Sequence, residues 1–206
     1  MGNKRAADLL VECLINQGVS RVFGIPGESY LSVLDALVDV RNKVKFVTAR
    51  HEGAASFMAE AYGKLTGSAG ICFVTRGPGA TNASIGVHTA MQNSSPMILF
   101  IGQIGRNTTD REAFQEVDYR IFFGSIAKWV TQIDNPDRLP ELIGRAFAVA
   151  NSGRPGPVVV ALPEDMLREI TDSTPVAKIL TNSAQASTEH IKAVSYTHLR
   201  AHETKC

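Results

Sequence analysis

Of the side chains in this 206-residue sequence, the carboxylate of Glu52 is the one whose setting asks for a chemical explanation. It lies within KFVTARHEGAASFMAEAYGKLTG, residues 45–67. The stretch opens like a buried strand and closes like an amphipathic helix, with Glu52 at the joint among small and apolar residues. A carboxylate so placed costs stability unless it has a partner or a task. The purely structural alternative is an acid in the first helical turn, which the helix macrodipole favours. His51 and Glu52 are not half of a zinc-protease motif, because that pattern needs His at position 55, where Ala55 stands. Two further stretches combine turn-forming residues with polar groups, GIPGES (24–29) and TRGPGATN (75–82). The second does not fit a dinucleotide fingerprint. Asn82 replaces the third glycine, Pro78 occupies the turn, and no acid near position 100 is present to hold a ribose. No Gly-Lys-Ser/Thr follows, so it is not a Walker loop either, and Pro78 reads as the first residue of a helix after a tight turn.

The elements around these groups follow from periodicity. Ala7, Leu10, Val11, Leu14 and Ile15 define a first helix, with Asn3 as its expected cap and Gly18 as its stop. SRVFGIP, VKFVTA, AGICFVT, PMILFIGQ, KWVTQI and PVVVALP read as strands. Helical stretches lie between them: YLSVLDALVD, GAASFMAEAYGKL, ATNASIGVHTAMQ and about 137–151. Near-continuous apolar strands alternating with helices imply an α/β fold, a three-layer parallel sheet with helices on both faces. In such sheets ligands collect beyond the carboxyl ends of the strands. GIPGES, TARHEG and TRGPGATN therefore share one rim. His88 reads as a helix-face residue, and GRPGPV (153–158) as turn chemistry without a catalytic group.

Composition narrows the function classes. Apolar residues make up 44% and charged residues 20%, and the net charge is +1, which gives no basic field for nucleic acid. No apolar run reaches the roughly 20 residues of a membrane span. The N-terminus lacks a secretory pattern, and Ala6 breaks the myristoylation motif. Cys13, Cys72 and Cys206 form no CxxC pair, so a reducing cytoplasm is expected. The domain is expected over residues 1–170, with a Ser/Thr/Ala-rich linker at 171–190 and a non-native tail at 191–206. His198, His202, Glu203 and Cys206 in that tail could mimic a metal site, yet they lack a packed surrounding, and no metal ligand is assigned. The ending resembles read-through sequence on a truncated gene.

VFGIPGESYLSVLDAL, ARHEGAASFMAEAYGKLTG, TRGPGATN, DREAFQEVD and GRPGPVVVALPED, in unbroken order over about 3–170, resemble the N-terminal, pyrimidine-binding domain of thiamine-diphosphate enzymes. The likeness is nearest to the acetolactate synthase group. It implies that Glu52 hydrogen-bonds N1′ of the cofactor's aminopyrimidine, and burial against Ala54, Ala55 and Phe57 is expected to leave it a shareable proton. It also implies cofactor contacts from Pro26, Gly27, Pro78 and Asn82, and substrate contacts from Phe114 and Gln115. Glu28 stands where typical acetolactate synthases have glycine and pyruvate decarboxylases an acid. It can relay protons, repel the carboxylate of a second 2-keto acid, or simply start the following helix.

The implied parent is a 2-keto acid carboligase or decarboxylase, at least a dimer. Its diphosphate and Mg²⁺ ligands lie in a C-terminal Gly-Asp-Gly…Asn-Asn segment, and some members carry flavin (FAD) in a middle domain. These 206 residues contain no such segment, so this chain alone is expected to be inactive. Benzaldehyde lyase, oxalyl-coenzyme-A decarboxylase and sulfoacetaldehyde acetyltransferase chemistry stay open, as does a non-catalytic subunit of a split enzyme.

Overall fold

A computed structural model describes residues 2–180 and 186–197. In chain order the elements are β1 (Lys4–Arg5), α1 (Ala6–Asn16), β2 (Arg21–Gly24), α2 (Leu31–Asp39), β3 (Lys45–Thr48), α3 (Glu52–Thr66), β4 (Gly70–Val74) and α4 (Pro78–Asn93). There follow β5 (Met97–Gln103), α5 (Tyr119–Phe123), β6 (Trp129–Gln132), α6 (Leu139–Asn151), β7 (Pro157–Pro163), β8 (Ile170–Thr171) and α7 (Thr188–Ser195). Six strands form one parallel sheet in the order β3-β2-β4-β5-β7-β6. All six strands expected from the apolar runs are present.

Because side chains alternate across a strand, each central strand feeds two cores. Ile71, Phe73, Ile98, Phe100, Val158 and Val160 point to one face, where α1, α2 and α6 pack with Leu10, Leu14, Val33, Ile143 and Phe147. Cys72, Val74, Leu99, Ile101 and Val159 point to the other, where α3, α4 and α5 contribute Ala55, Ala59, Ala83, Ala90 and Phe123. This double burial explains why the strands read as continuous apolar runs. Cys13 and Cys72 are free thiols within these cores, and burial pushes both upward in pKa, Cys13 to about 11.

Two local readings need correction. Asn3 does not cap α1. Lys4 and Arg5 instead pair antiparallel with Thr171 and Ile170, which carries the chain in an extended form up to Ala6. The Asp8 carboxylate then accepts the Arg5 backbone N–H at 3.2 Å and its Nε–H at 3.0 Å. Gly18, by contrast, follows the end of α1 with φ +85°, as a helix stop should. The polar segment after Thr171 is also less detached than its composition implies. The Asn16 amide donates to the Val176 carbonyl at 3.1 Å and the Gln17 amide to that of Ala177 at 2.8 Å, while Val176 packs on the core. Helix α7, which the sequence reading did not anticipate, is capped by Ser187 and buries none of its residues. His198, His202, Glu203 and Cys206 lie outside the described residues.

Candidate functional site

The strand order reverses between β2 and β4: the chain runs outward from β2 to β3, then returns to lay down β4 and β5 on the other side. Loops leaving the carboxyl ends of two such strands part there and open a ligand crevice. Residues 25–28 follow β2 and residues 75–77 follow β4. Glu52 follows β3 and begins α3.

Close approach of these loops depends on glycine. A Cβ on Gly27 would lie 2.6 Å from Thr75 Cβ, and one on Gly79 would lie 2.9 Å from Thr75 Cγ2 and 3.6 Å from Glu52 Oε1. The Ser29 and Thr75 hydroxyls are hydrogen-bonded at 2.8 Å, which ties the first loop to the third. Gly77 turns the chain with φ +58°, and the Tyr119 hydroxyl accepts its N–H at 2.9 Å. Burial pushes that phenol up to about 12, the Gly77 hydrogen bond opposing the shift, so it stays a neutral clamp. Pro78 then supplies the first residue of α4, as its fixed φ suits.

Glu52 is half-buried at the start of α3, whose cap is His51: its Nδ1 accepts the Gly53 N–H at 3.0 Å. The Asn82 amide, from the first turns of α4, donates to Glu52 Oε2 at 3.0 Å. Oε1 receives no hydrogen bond among the described residues. A second acid on the same helix is placed differently. Glu60 is buried, and its Oε1 accepts from Ser95 Oγ at 2.7 Å and Asn93 Nδ2 at 3.0 Å, which holds α3 to the end of α4 away from the strand rim. Glu52 is held on one oxygen and open on the other, an arrangement that fits a ring nitrogen of a bound heteroaromatic.

The remaining candidates divide. Gln115, half-buried with φ +66°, lies against the Gly77 turn, where a Cβ on the glycine would come within 2.7 Å of its own. Phe114 is 76% exposed and packs little within this chain. Pro26 is exposed and lines a separate apolar hollow of about 430 Å³ with Leu34, Leu37, Val38 and Phe46. His88 is exposed on α4. The expected shielding of Glu52 by Ala54 and Phe57 does not occur in this chain, because both are exposed, while Ala55 belongs to the core. Glu28 does begin a helix, the short 3-10 turn Glu28–Tyr30 that leads into α2, but as its first residue and not its cap, which is Gly27; its side chain points to a guanidinium.

That guanidinium belongs to Arg76, which the sequence reading passed over. Arg76 donates to Glu28 Oε1 at 3.0 Å and to Glu164 Oε2 at 3.1 Å. Glu164 stands directly after β7, so the rule that ligand groups gather at strand carboxyl ends was the signal that could have found it. A cleft lies elsewhere. It has a volume of about 460 Å³ beside β6, with Trp129, Arg138 and Arg145 in its wall, and includes none of these residues.

The fold is that of a known class. The chain belongs to the family described as thiamine pyrophosphate enzyme, N-terminal TPP binding domain, whose model matches residues 4–120. Among curated proteins it is 37% identical over 175 residues to acetolactate synthase of Bacillus subtilis (strain 168), a match covering 85% of this chain and 30% of that one. It is 42% identical over 161 residues to the isozyme 3 large subunit of acetolactate synthase from Escherichia coli (strain K12), covering 78% of this chain and 28% of the relative. To the probable acetolactate synthase large subunit of Methanocaldococcus jannaschii it is 40% identical over 162 residues, covering 79% and 27%. The chain thus spans less than a third of the length of these relatives.

Proposed function

We propose that this chain is the pyrimidine-holding part, residues 1–170, of a thiamine-diphosphate-dependent 2-keto acid carboligase or decarboxylase of the acetolactate synthase kind. The observation that carries the reading is the half-held carboxyl of Glu52, with one oxygen on Asn82 and the other open above Gly79. When bound, thiamine diphosphate supplies the nucleophilic carbon that breaks and makes bonds next to a carbonyl. Glu52 would exchange a proton with N1′ of the aminopyrimidine, Asn82 would keep the carboxyl aimed, and Gly27 and Gly79 would leave room for the ring. Gln115, braced against the Gly77 turn, would donate to a substrate carbonyl oxygen as charge develops there.

The rest of the machinery is assigned to sequence beyond this chain. Ligands for Mg²⁺ and the diphosphate belong in a C-terminal domain, any flavin in a middle domain, and residues 171–190 lead toward the latter. The chain by itself is then inactive. A second copy completes the site in this reading. Ala54, Phe57, Met58, Ala61 and Leu65 form an exposed apolar stripe on α3, turned away from the sheet, and Ile85 is likewise exposed on α4. Such a stripe suits a subunit interface and would supply the shielding of Glu52 missing in the single chain. Buried free thiols suit a reducing cytoplasm, and no helix among the described residues is long and apolar enough to cross a membrane.

The test is Glu52→Gln in the full-length protein. Hydrogen–deuterium exchange at the cofactor C2 is expected to slow by about a hundredfold or more, the usual size of a lost acid–base contribution. Exchange at the unmodified rate would overturn the reading.

A further inference from the structure

The Arg76 network shows what charge the rim presents to a substrate. Arg76 is largely buried, with its side chain 12% exposed, and its two terminal nitrogens each hold one carboxylate. Its Nε is shielded from solvent and has no acceptor among the described residues. Both terminal nitrogens are thus engaged by the protein's own carboxylates, and little of the guanidinium is open to a substrate carboxylate. Glu28, in contrast, is 65% exposed, and Glu164 is 36% exposed. Two carboxylates around one guanidinium leave a net charge of −1, and the accessible part of that trio is the negative part. It sits where the loops after β2, β4 and β7 meet. Thr75, the residue before Arg76, is the one against which both Gly27 and the Glu52-facing Gly79 close.

We propose that the Glu28–Arg76–Glu164 network selects the acceptor, disfavouring a second 2-keto acid anion and favouring an uncharged aldehyde or ketone. This rests on the reading that the rim holds thiamine diphosphate. In the overall reaction the 2-keto acid donor loses CO₂, its acyl carbon bonds to the carbonyl carbon of the acceptor, and one proton is taken up by the new hydroxyl. Donor charge is removed as CO₂ leaves, whereas acceptor charge would persist beside Glu28 through bond formation. The penalty thus falls on the acceptor. Arg76 is a positioning residue here: it acts by fixing Glu28 and by offsetting part of the negative charge.

The experiment measures kcat/KM for pyruvate as acceptor and for acetaldehyde as acceptor in the full-length, cofactor-loaded protein, with pyruvate as donor. The unmodified protein is expected to prefer acetaldehyde. Glu28→Gln removes one negative charge and should raise the pyruvate-to-acetaldehyde ratio about tenfold, the scale of one like-charge contact at a partly hydrated site. Arg76→Met strips the offsetting charge and should lower the ratio by about threefold or more. Arg76→Lys, which keeps the charge and covers the case of a poorly folding Arg76→Met, should hold it within about twofold. A merely structural network would depress both acceptors alike. Preference for pyruvate in the unmodified protein, shifts of the same sign in Glu28→Gln and Arg76→Met, or no shift in either would overturn the proposal. C2 exchange measured in parallel separates the two readings. Normal exchange with an unchanged ratio refutes acceptor selection alone, and absent exchange in the unmodified protein refutes both.

Discussion

The two faces of the sheet are built from different materials. Against one face, α1, α2 and α6 bring large side chains, and Tyr30, Phe73 and Phe100 form a stacked aromatic column with centroids 5.7 and 4.8 Å apart. Against the other, α3 and α4 meet through alanine, serine and glycine, so that a Cβ on Gly86 would lie 2.3 Å from Ser56 Oγ and 2.6 Å from its Cβ. Large side chains bury more apolar area and supply stability. Small ones supply proximity: they let two helix backbones approach until Asn82, near the start of one, reaches Glu52, at the start of the other. The first face is a foundation, and the second is an instrument for aiming one carboxyl.

If that division is right, substitutions on the two faces fail differently. The largest loss of stability is expected on the foundation. Phe73→Ala removes the middle of the aromatic column and should cost about 3–5 kcal/mol, read from the denaturant midpoint of the chain. In the full-length protein, whatever fraction folds should keep its rate of C2 exchange. A Phe73→Ala protein that stays folded yet exchanges much more slowly would break the comparison, because the foundation would then be aiming the site as well.

A smaller stability effect with a larger functional one is expected between α3 and α4. Gly86→Ala must push the helices apart and should cost about 1–3 kcal/mol. The same displacement pulls Asn82 from Glu52, so C2 exchange should slow even in the folded fraction. Adding Ser56→Gly removes the two nearest obstructing atoms and should restore part of both losses, a coupling that a double-mutant cycle resolves. Simple additivity of the two changes would show that the helices do not meet there in the way described.

How much of this was legible beforehand follows the same division. The strands announced themselves because burial on both faces demands unbroken apolar runs, and the rim followed from their carboxyl ends. Glu52 was legible as a misfit at a strand–helix joint. Its surroundings were not. Helical spacing puts Ala55 and Ala59, three and seven positions on, against the sheet, and turns Ala54 and Phe57 outward, so one apolar stretch served two surfaces. The Asn3 cap failed because an antiparallel pairing with residues 170–171 overrode a local preference. The Arg76 bridge was hidden for the same reason. Its partners come from the loops after β2 and β7, and no local spacing encodes an ion pair between residues so far apart in sequence.

The smallest stability effect is expected at Asn82, and it is the sharpest test of the division. Asn82 is exposed, so Asn82→Ala forfeits one partly solvated hydrogen bond to a carboxylate and should cost no more than about 1 kcal/mol. On the foundation a change that small would pass unnoticed. On the aiming face it frees the Glu52 carboxyl to rotate about its own side-chain torsions, and orientation is what a proton-exchanging group contributes beyond its mere presence. C2 exchange in the full-length Asn82→Ala protein should therefore slow by about tenfold with the denaturant midpoint nearly unmoved, and Asn82→Asp, which sets a like charge against Glu52, should slow it further. If both variants exchange at the unmodified rate, then the close packing of α3 on α4 serves stability alone, and the carboxyl is aimed by something outside this chain.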